Sequence, residues 1–268
     1  MGTFYSICKR LNVPVAEETK VWPINYNEYL GLAIDTQTMV IKIPKDKIDE
    51  LCEKILFVLN SKKVTLKHLQ SLAASLAFCP LALRVGRTFS RRIYASLCKA
   101  SKHHHFIRVT NSMKSDLLVW KELLHNFNGL SYIPEKNWST NYDLQLFTDS
   151  TGVETKGCGA FYAGKWAHLQ WPTEWKSTPL LRDITYLELI PIALAIFLWG
   201  QEFRNKSVIF FSVNEAVVSI LNSKTSKSKT VMSLLRFIIY CTLKFNIQLK
   251  SKHISSKDNK IADFISRG

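Results

Sequence analysis

The sequence predicts an α/β chain in two parts. A mostly helical first part carrying a β-hairpin spans residues 1–125, and a mixed five-stranded sheet with flanking helices spans residues 143–268. Three observations predict this. Helical spacing dominates the first half, the segment NFNGLSYIPEKNWSTNY breaks it with Asn, Gly, Pro and Ser, and strand-like text opens the second half. Residues 126–142 therefore read as a linker. The 268 residues, 47% of them hydrophobic and 12% aromatic, supply enough apolar side chains for the cores of both parts.

In the first part, EYLGLAIDTQTMVIKIP predicts a β-hairpin with arms Tyr29 to Ile34 and Met39 to Ile43, joined by Asp35-Thr36-Gln37-Thr38 and ended by Pro44. KDKIDELCEKILFVLN places Ile48, Leu51, Cys52, Ile55, Leu56 and Leu59 at helical spacing, an apolar stripe opposite Lys and Glu. Thr65 is the expected cap of a second helix carrying Leu66, Leu69, Leu72 and Leu76 and stopping before Pro80. A third helical stretch, LALRVGRTFSRRIYASLCKA, is followed by NSMKSDLLVWKELLHNF, a helix with Leu117, Trp120, Leu123 and Leu124 inward.

In the second part, YDLQLFTDS predicts a strand ending in Asp149. GCGAFYAG and KWAHLQW predict two more, linked tightly through Gly164 as an antiparallel meander. Thr185 is the expected cap of TYLELIPIALAIFLWGQEF, where Pro191 is tolerable because it lies near the helix start. KSVIFFS is the next strand, NEAVVSILN and VMSLLRFIIYCTLKF are helices, IQLKSKHI is the last strand, and DNKIADFIS is a closing helix.

Charge points to a polyanionic partner. The chain holds 36 Lys+Arg against 21 Asp+Glu, a formal charge of +15. Between Arg84 and Lys114 no acidic residue occurs, and Arg84, Arg87 and Arg91 recur at helical spacing. With Arg92 and Lys102 they form a candidate track for the phosphates of a nucleic acid. The loop SKTSKSKT offers a second through Lys227 and Lys229, with a solvated turn as the alternative. His103-His104-His105 reads as a polar linker, because adjacent side chains point in different directions and do not converge on one ion.

Six cysteines without a CxxC pair indicate neither a disulfide framework nor a zinc site and fit a reducing compartment. No secretory signal is read at the start, so an intracellular location, nucleus or cytoplasm, is expected. Tyr186 to Gly200 is too short to span a bilayer and carries Glu188, so a buried helix is expected there and no membrane partner.

Single acids stand at the end of the first strand of the second part (Asp149), in its first helix (Glu188) and in its last helix (Asp263). Each has an ordinary reading alone: a turn residue, a first-turn acid facing the helix dipole, a solvent-facing helix residue. In a mixed sheet with helices packed on it, the three can be brought together. Clustered carboxylates persist in a cleft mainly when divalent cations neutralise them, so Mg2+ or Mn2+ is the expected cofactor and a metal-dependent phosphodiester cleavage the expected chemistry.

LFTDSTGVETKGCGAFYAGKW, TYLELIPIALAIFLWG, NEAVVSILNS and above all HISSKDNKIADFISRG resemble the ribonuclease H domain of retrotransposon polyproteins, most closely of DIRS-type elements. NEYLGLAIDTQTMVIKIPKDKIDEL and KKVTLKHLQSLAASLAF resemble the region after the polymerase catalytic motif, the primer-grip hairpin and the thumb or connection helices. The resemblance implies a ribonuclease H-like fold preceded by thumb or connection helices. It also implies an RNA/DNA hybrid as partner, alongside the rest of a reverse transcriptase polyprotein. Asp149, Glu188 and Asp263 would be metal ligands, and His253 would lie near the scissile region.

Two departures limit this. No adjacent Asp-Asp pair exists, so polymerisation by this chain alone is not expected. Aligning NEAVVSILN with the family's Asp-Asn-x-Ala-Val-Val segment puts Val213 where a fourth metal-binding acid belongs. The expectation is a weak or inactive nuclease that holds a hybrid. The alternative is an active metal-dependent endonuclease cutting RNA in hybrids.

Overall fold

The computed structural model describes residues 2–15, 24–79, 82–83, 86–126, 138–139 and 144–267. Helix α1 (Gly2–Arg10) precedes an antiparallel meander of β1 (Tyr26–Tyr29), β2 (Leu32–Asp35) and β3 (Val40–Lys42). The expected hairpin is β2–β3. Asp35 Oδ1 shapes its turn by accepting from the backbone N–H of Gln37 and Thr38, at 2.9 and 3.1 Å. The added strand β1 turns through Leu30 and Gly31, with φ of 49° and 75°, the doubly left-handed pair that matches strand twist.

Helix α2 (Lys45–Asn60) buries Leu51, Ile55 and Val58. Ile48, Cys52 and Leu59 flank that stripe, while Leu56 is exposed, because the stripe follows Leu51, Ile55 and Val58 around the opposite flank. Thr65 caps α3 (Leu66–Phe78), accepting from the His68 N–H at 3.3 Å. Two short strands that the sequence pattern does not announce, β4 (Lys63–Thr65) and β5 (Phe106–Arg108), pair antiparallel and tie α3 to the segment after α4 (Gly86–Leu97). Helix α5 (Asn111–Asn126) buries Leu117, Trp120, Leu123 and Leu124 as expected, and also Asp116.

In the second part β6 (Leu146–Ser150), β7 (Gly157–Tyr162) and β8 (Lys165–Gln170) form an antiparallel meander. Helix α6 (Ile184–Trp199) packs on β6 and β7. It is capped by Asp183 rather than Thr185, the carboxylate accepting from the Tyr186 N–H at 3.1 Å. Then come β9 (Ser207–Ser212), α7 (Glu215–Ser223), α8 (Lys229–Lys244), β10 (Gln248–His253) and α9 (Lys260–Ser266). Strands β9 and β10 pair in parallel from Ser207↔Gln248 to Ser212↔His253.

The expected five-stranded sheet is not continuous. Strand β6 lies beside β9, but no hydrogen-bonded ladder joins them among the described residues. Part of the β9 edge is instead taken by Ser139, whose N–H donates to the Ser207 carbonyl at 2.8 Å and which bridges Val208 in parallel. Most of the expected linker, 126–142, lies outside the described residues. One cluster of buried apolar side chains runs from Leu32 through Trp120 and Leu146 to Leu249, so the two parts share a core. No described helix is long and apolar enough to cross a membrane.

Candidate active site

Asp149, the penultimate residue of β6, pairs with Gly159 of β7, which pairs with His168 of β8. Asp149 is 7% exposed, and both of its carboxylate oxygens have a protein neighbour at hydrogen-bond distance. Asn259 Nδ2 donates to Oδ1 at 3.2 Å and Ser266 Oγ lies 3.1 Å from Oδ2. These two residues bracket α9, seven positions apart and hence two helical turns along one face. Ser266 Oγ is also 2.9 Å from the Asp263 carbonyl, and its single hydrogen serves one acceptor at a time. Burial pushes the Asp149 carboxyl up to about 6, with the Ser266 bond opposing and the Asp263 charge adding.

Glu188, one turn into α6, is 3% exposed. Burial pushes its carboxyl up to about 8, the Asp149 charge pushes the same way, and contact with Ser150 offsets part of the rise. At pH 7 this carboxyl is mainly neutral. Ser150 Oγ and Asn259 Oδ1, both buried beside the two acids, have no hydrogen-bond partner of regular geometry among the described residues.

Asp263 faces outward from α9, half-buried, and is gripped by Arg267, whose Nε and Nη2 lie 3.0 and 2.7 Å from Oδ1. His253 is exposed at the end of β10 beside Ser212. Val213 follows Ser212 directly and is half-buried. Asn214 after it caps α7, accepting from the N–H of Ala216 and Val217 at 2.9 and 3.3 Å.

Asp149 thus lies near enough to feel the charge of Asp263, and Glu188 that of Asp149, while His253 has no described contact to any of them. These residues do not fit a divalent cation as they stand. No three His, Cys, Asp or Glu side chains converge on one point among the described residues, Asp149 Oδ1 and Asp263 Oδ1 are engaged by protein donors, and the valine has no lone pair.

The basic track is arranged differently from a bare phosphate rail. Arg84 and the Arg87 side chain lie outside the described residues. Arg91 Nη1 donates to Thr225 Oγ1 in the α7–α8 loop. Arg92 Nη1 lies 2.8 Å from Asp116 Oδ1 and 2.8 Å from the Ser112 carbonyl. Asp116, 2% exposed, also takes Arg236 of α8, whose Nε is 3.2 Å from Oδ1. Burial raises the Asp116 carboxyl despite these two guanidinium groups. Lys102, Lys227 and Lys229 are exposed. The acid-free span ends two residues before Asp116, so the partner of Arg92 was out of view in that span.

Sequence reasoning missed Asn259 and Ser266, although their two-turn spacing around Asp263 was a readable signal. It also missed why residue 159 is glycine. A Cβ there would stand 2.7 Å from Ile265 Cγ2 and 2.8 Å from the Ser266 N, so α9 rests directly on the β7 backbone. Gly159→Ala is expected to cost about 1–3 kcal/mol in urea unfolding by lifting α9. Gly152→Ala, whose Cβ meets nothing closer than 3.7 Å, is expected to be near neutral, and equal losses would refute the close-packing account.

No protein-family model matches this chain. No curated protein matches it either. Among solved structures it is similar to the foamy viral protease-reverse transcriptase dRH in complex with double-stranded DNA, at 15% identity and a TM-score of 0.34. The match covers 86% of this chain and 38% of that one, so the chain spans well under half of that protein's length. A likeness at this TM-score carries no functional inference.

Proposed function

We propose that this chain is a retrotransposon-derived piece of a reverse transcriptase that binds RNA/DNA hybrid through a ribonuclease H-like second part whose nuclease site is degenerate. The observation that carries the reading is the hinge after β9. There Val213 presents an isopropyl group, while Asp149 is held by Asn259 and Ser266 and Asp263 by Arg267. The closing motif HISSKDNKIADFISRG and the net charge of +15 support the same reading. Loss of even an outer ligand partner lowers metal affinity or activity by about 10–100-fold, and loss of a direct ligand costs at least that.

The second reading, an active endonuclease using Mg2+ or Mn2+, is favoured by one feature. Two buried, mutually coupled carboxyls with raised proton affinity, Asp149 and Glu188, are typical of functional clefts. Incubating a labelled hybrid with the chain and Mn2+ separates the two. Retained binding without cleavage supports the degenerate site, and metal-dependent cutting of the RNA strand establishes the enzyme.

Val213→Asp sharpens that test. The variant is expected to bind Mn2+ in calorimetry where the parent does not, and to be less stable than the parent without metal, because a further acid joins Asp149 and Glu188. If the variant neither binds Mn2+ nor cuts, either Val213 is not a replaced ligand or the site has decayed beyond this one residue. Hybrid affinity should also fall by about a thousandfold between about 50 and about 200 mM salt if some six phosphates are contacted. A flat salt profile would exclude a phosphate track.

A further inference from the structure

The sheet face that carries Asp149 also carries an aromatic row that the proposed nuclease chemistry does not use. Two residues back along the strands, Phe147 of β6 pairs with Phe161 of β7, which pairs with Trp166 of β8. Residues that pair across a sheet, and those two apart along a strand, project from the same face, so Phe147, Phe161 and Trp166 stand in line on the α9 side. Helix α9 completes a groove of about 750 Å³ with Phe264, Ile261 and Lys260. Trp166 is 69% and Phe264 80% exposed, the two most exposed Phe, Tyr or Trp side chains among the described residues.

We infer that this groove binds single-stranded nucleic acid by stacking unpaired bases on Trp166, Phe161 and Phe264 while Lys260 meets the backbone. This goes beyond hybrid binding at the Asp149 cleft and does not depend on whether that cleft cuts. Two features select this occupant over an apolar protein segment. Flat aromatic rings rather than aliphatic side chains dominate the open surface, and every base offers a π-face to such rings whatever its sequence. The charge complements a polyanion, because Lys260 lines the groove, no acidic residue does, and the chain carries +15 overall.

The volume lies within the roughly 300–1,000 Å³ of sites that enclose molecules of nucleotide size.

The test is fluorescence anisotropy with a labelled 20-nucleotide single strand of mixed sequence and, separately, a blunt RNA/DNA hybrid. Trp166→Ala and Phe264→Ala are each expected to weaken single-strand binding by about tenfold and to leave hybrid binding unchanged. Trp166→Phe, which keeps a ring, should restore most of the loss. Both side chains are exposed, and unchanged urea midpoints would exclude misfolding. Unaltered single-strand affinity in both alanine variants overturns the inference. Equal losses for strand and hybrid also overturn it, because the groove is then part of the hybrid site. A parent that binds no single strand but runs as a dimer dispersed by Trp166→Ala overturns it in favour of an interface between copies. Failure of hybrid binding alone touches only the function proposed above.

Discussion

Glu188→Gln is expected to make the chain more stable than the parent at pH 9, by on the order of 4 kcal/mol, and to leave the two alike near pH 4. The carboxyl rises from 4.5 to about 8 on folding because it is buried beside Asp149. Below pH 4.5 it is neutral in both states and imposes no penalty. As pH rises from 4.5 to about 8, the unfolded chain releases this proton while the folded chain keeps it, so stability falls steadily; above 8 the full loss persists. A shift of this size, at about 1.36 kcal/mol per unit, gives that order of magnitude. Glutamine stays neutral and removes the dependence. Urea unfolding at pH 4, 6.5 and 9 measures it, and parallel stability profiles for parent and variant would show that Glu188 is not buried as a lone acid. Asp149, raised to about 6, adds a smaller slope of the same sign over the lower part of that range in both proteins.

Asp116→Ala should destabilise the chain by about 3–5 kcal/mol, the cost of leaving buried positive charge without its counterion. Arg236, its side chain 13% exposed, would lose its acid, and Arg92 would lose one of two anchors. Since Arg92 sits on α4, Asp116 on α5 and Arg236 on α8, this one carboxylate fastens the helical part to the sheet part. Arg236→Met on the alanine background should recover much of the loss, because no buried charge then remains unpaired. If the double variant is no better than the single, the loss comes from packing around α5 rather than from charge.

What the sequence by itself determined were the features written in local spacing. The apolar stripe of α5, the Thr65 cap, the Asp35 turn, the β6–β8 meander and the positions of Asp149, Glu188 and Val213 at or near element ends all follow from periodicities of two or 3.6 residues and from turn chemistry. Burial of Asp149 and Glu188, and with it their raised proton affinity, arises only when α6 and α9 close on the β6–β7 pair. The tertiary structure alone decided how the charges pair. Arg92 looked free because its acid lies outside the acid-free span and its second guanidinium neighbour, Arg236, is 120 residues from Asp116. It likewise decided that Ser139 takes part of the β9 edge and that Asn259 and Ser266 hold Asp149. Hydrogen-bond edges and ion pairs are claimed by whichever group the folded chain brings nearest, and a one-dimensional pattern carries no record of that competition.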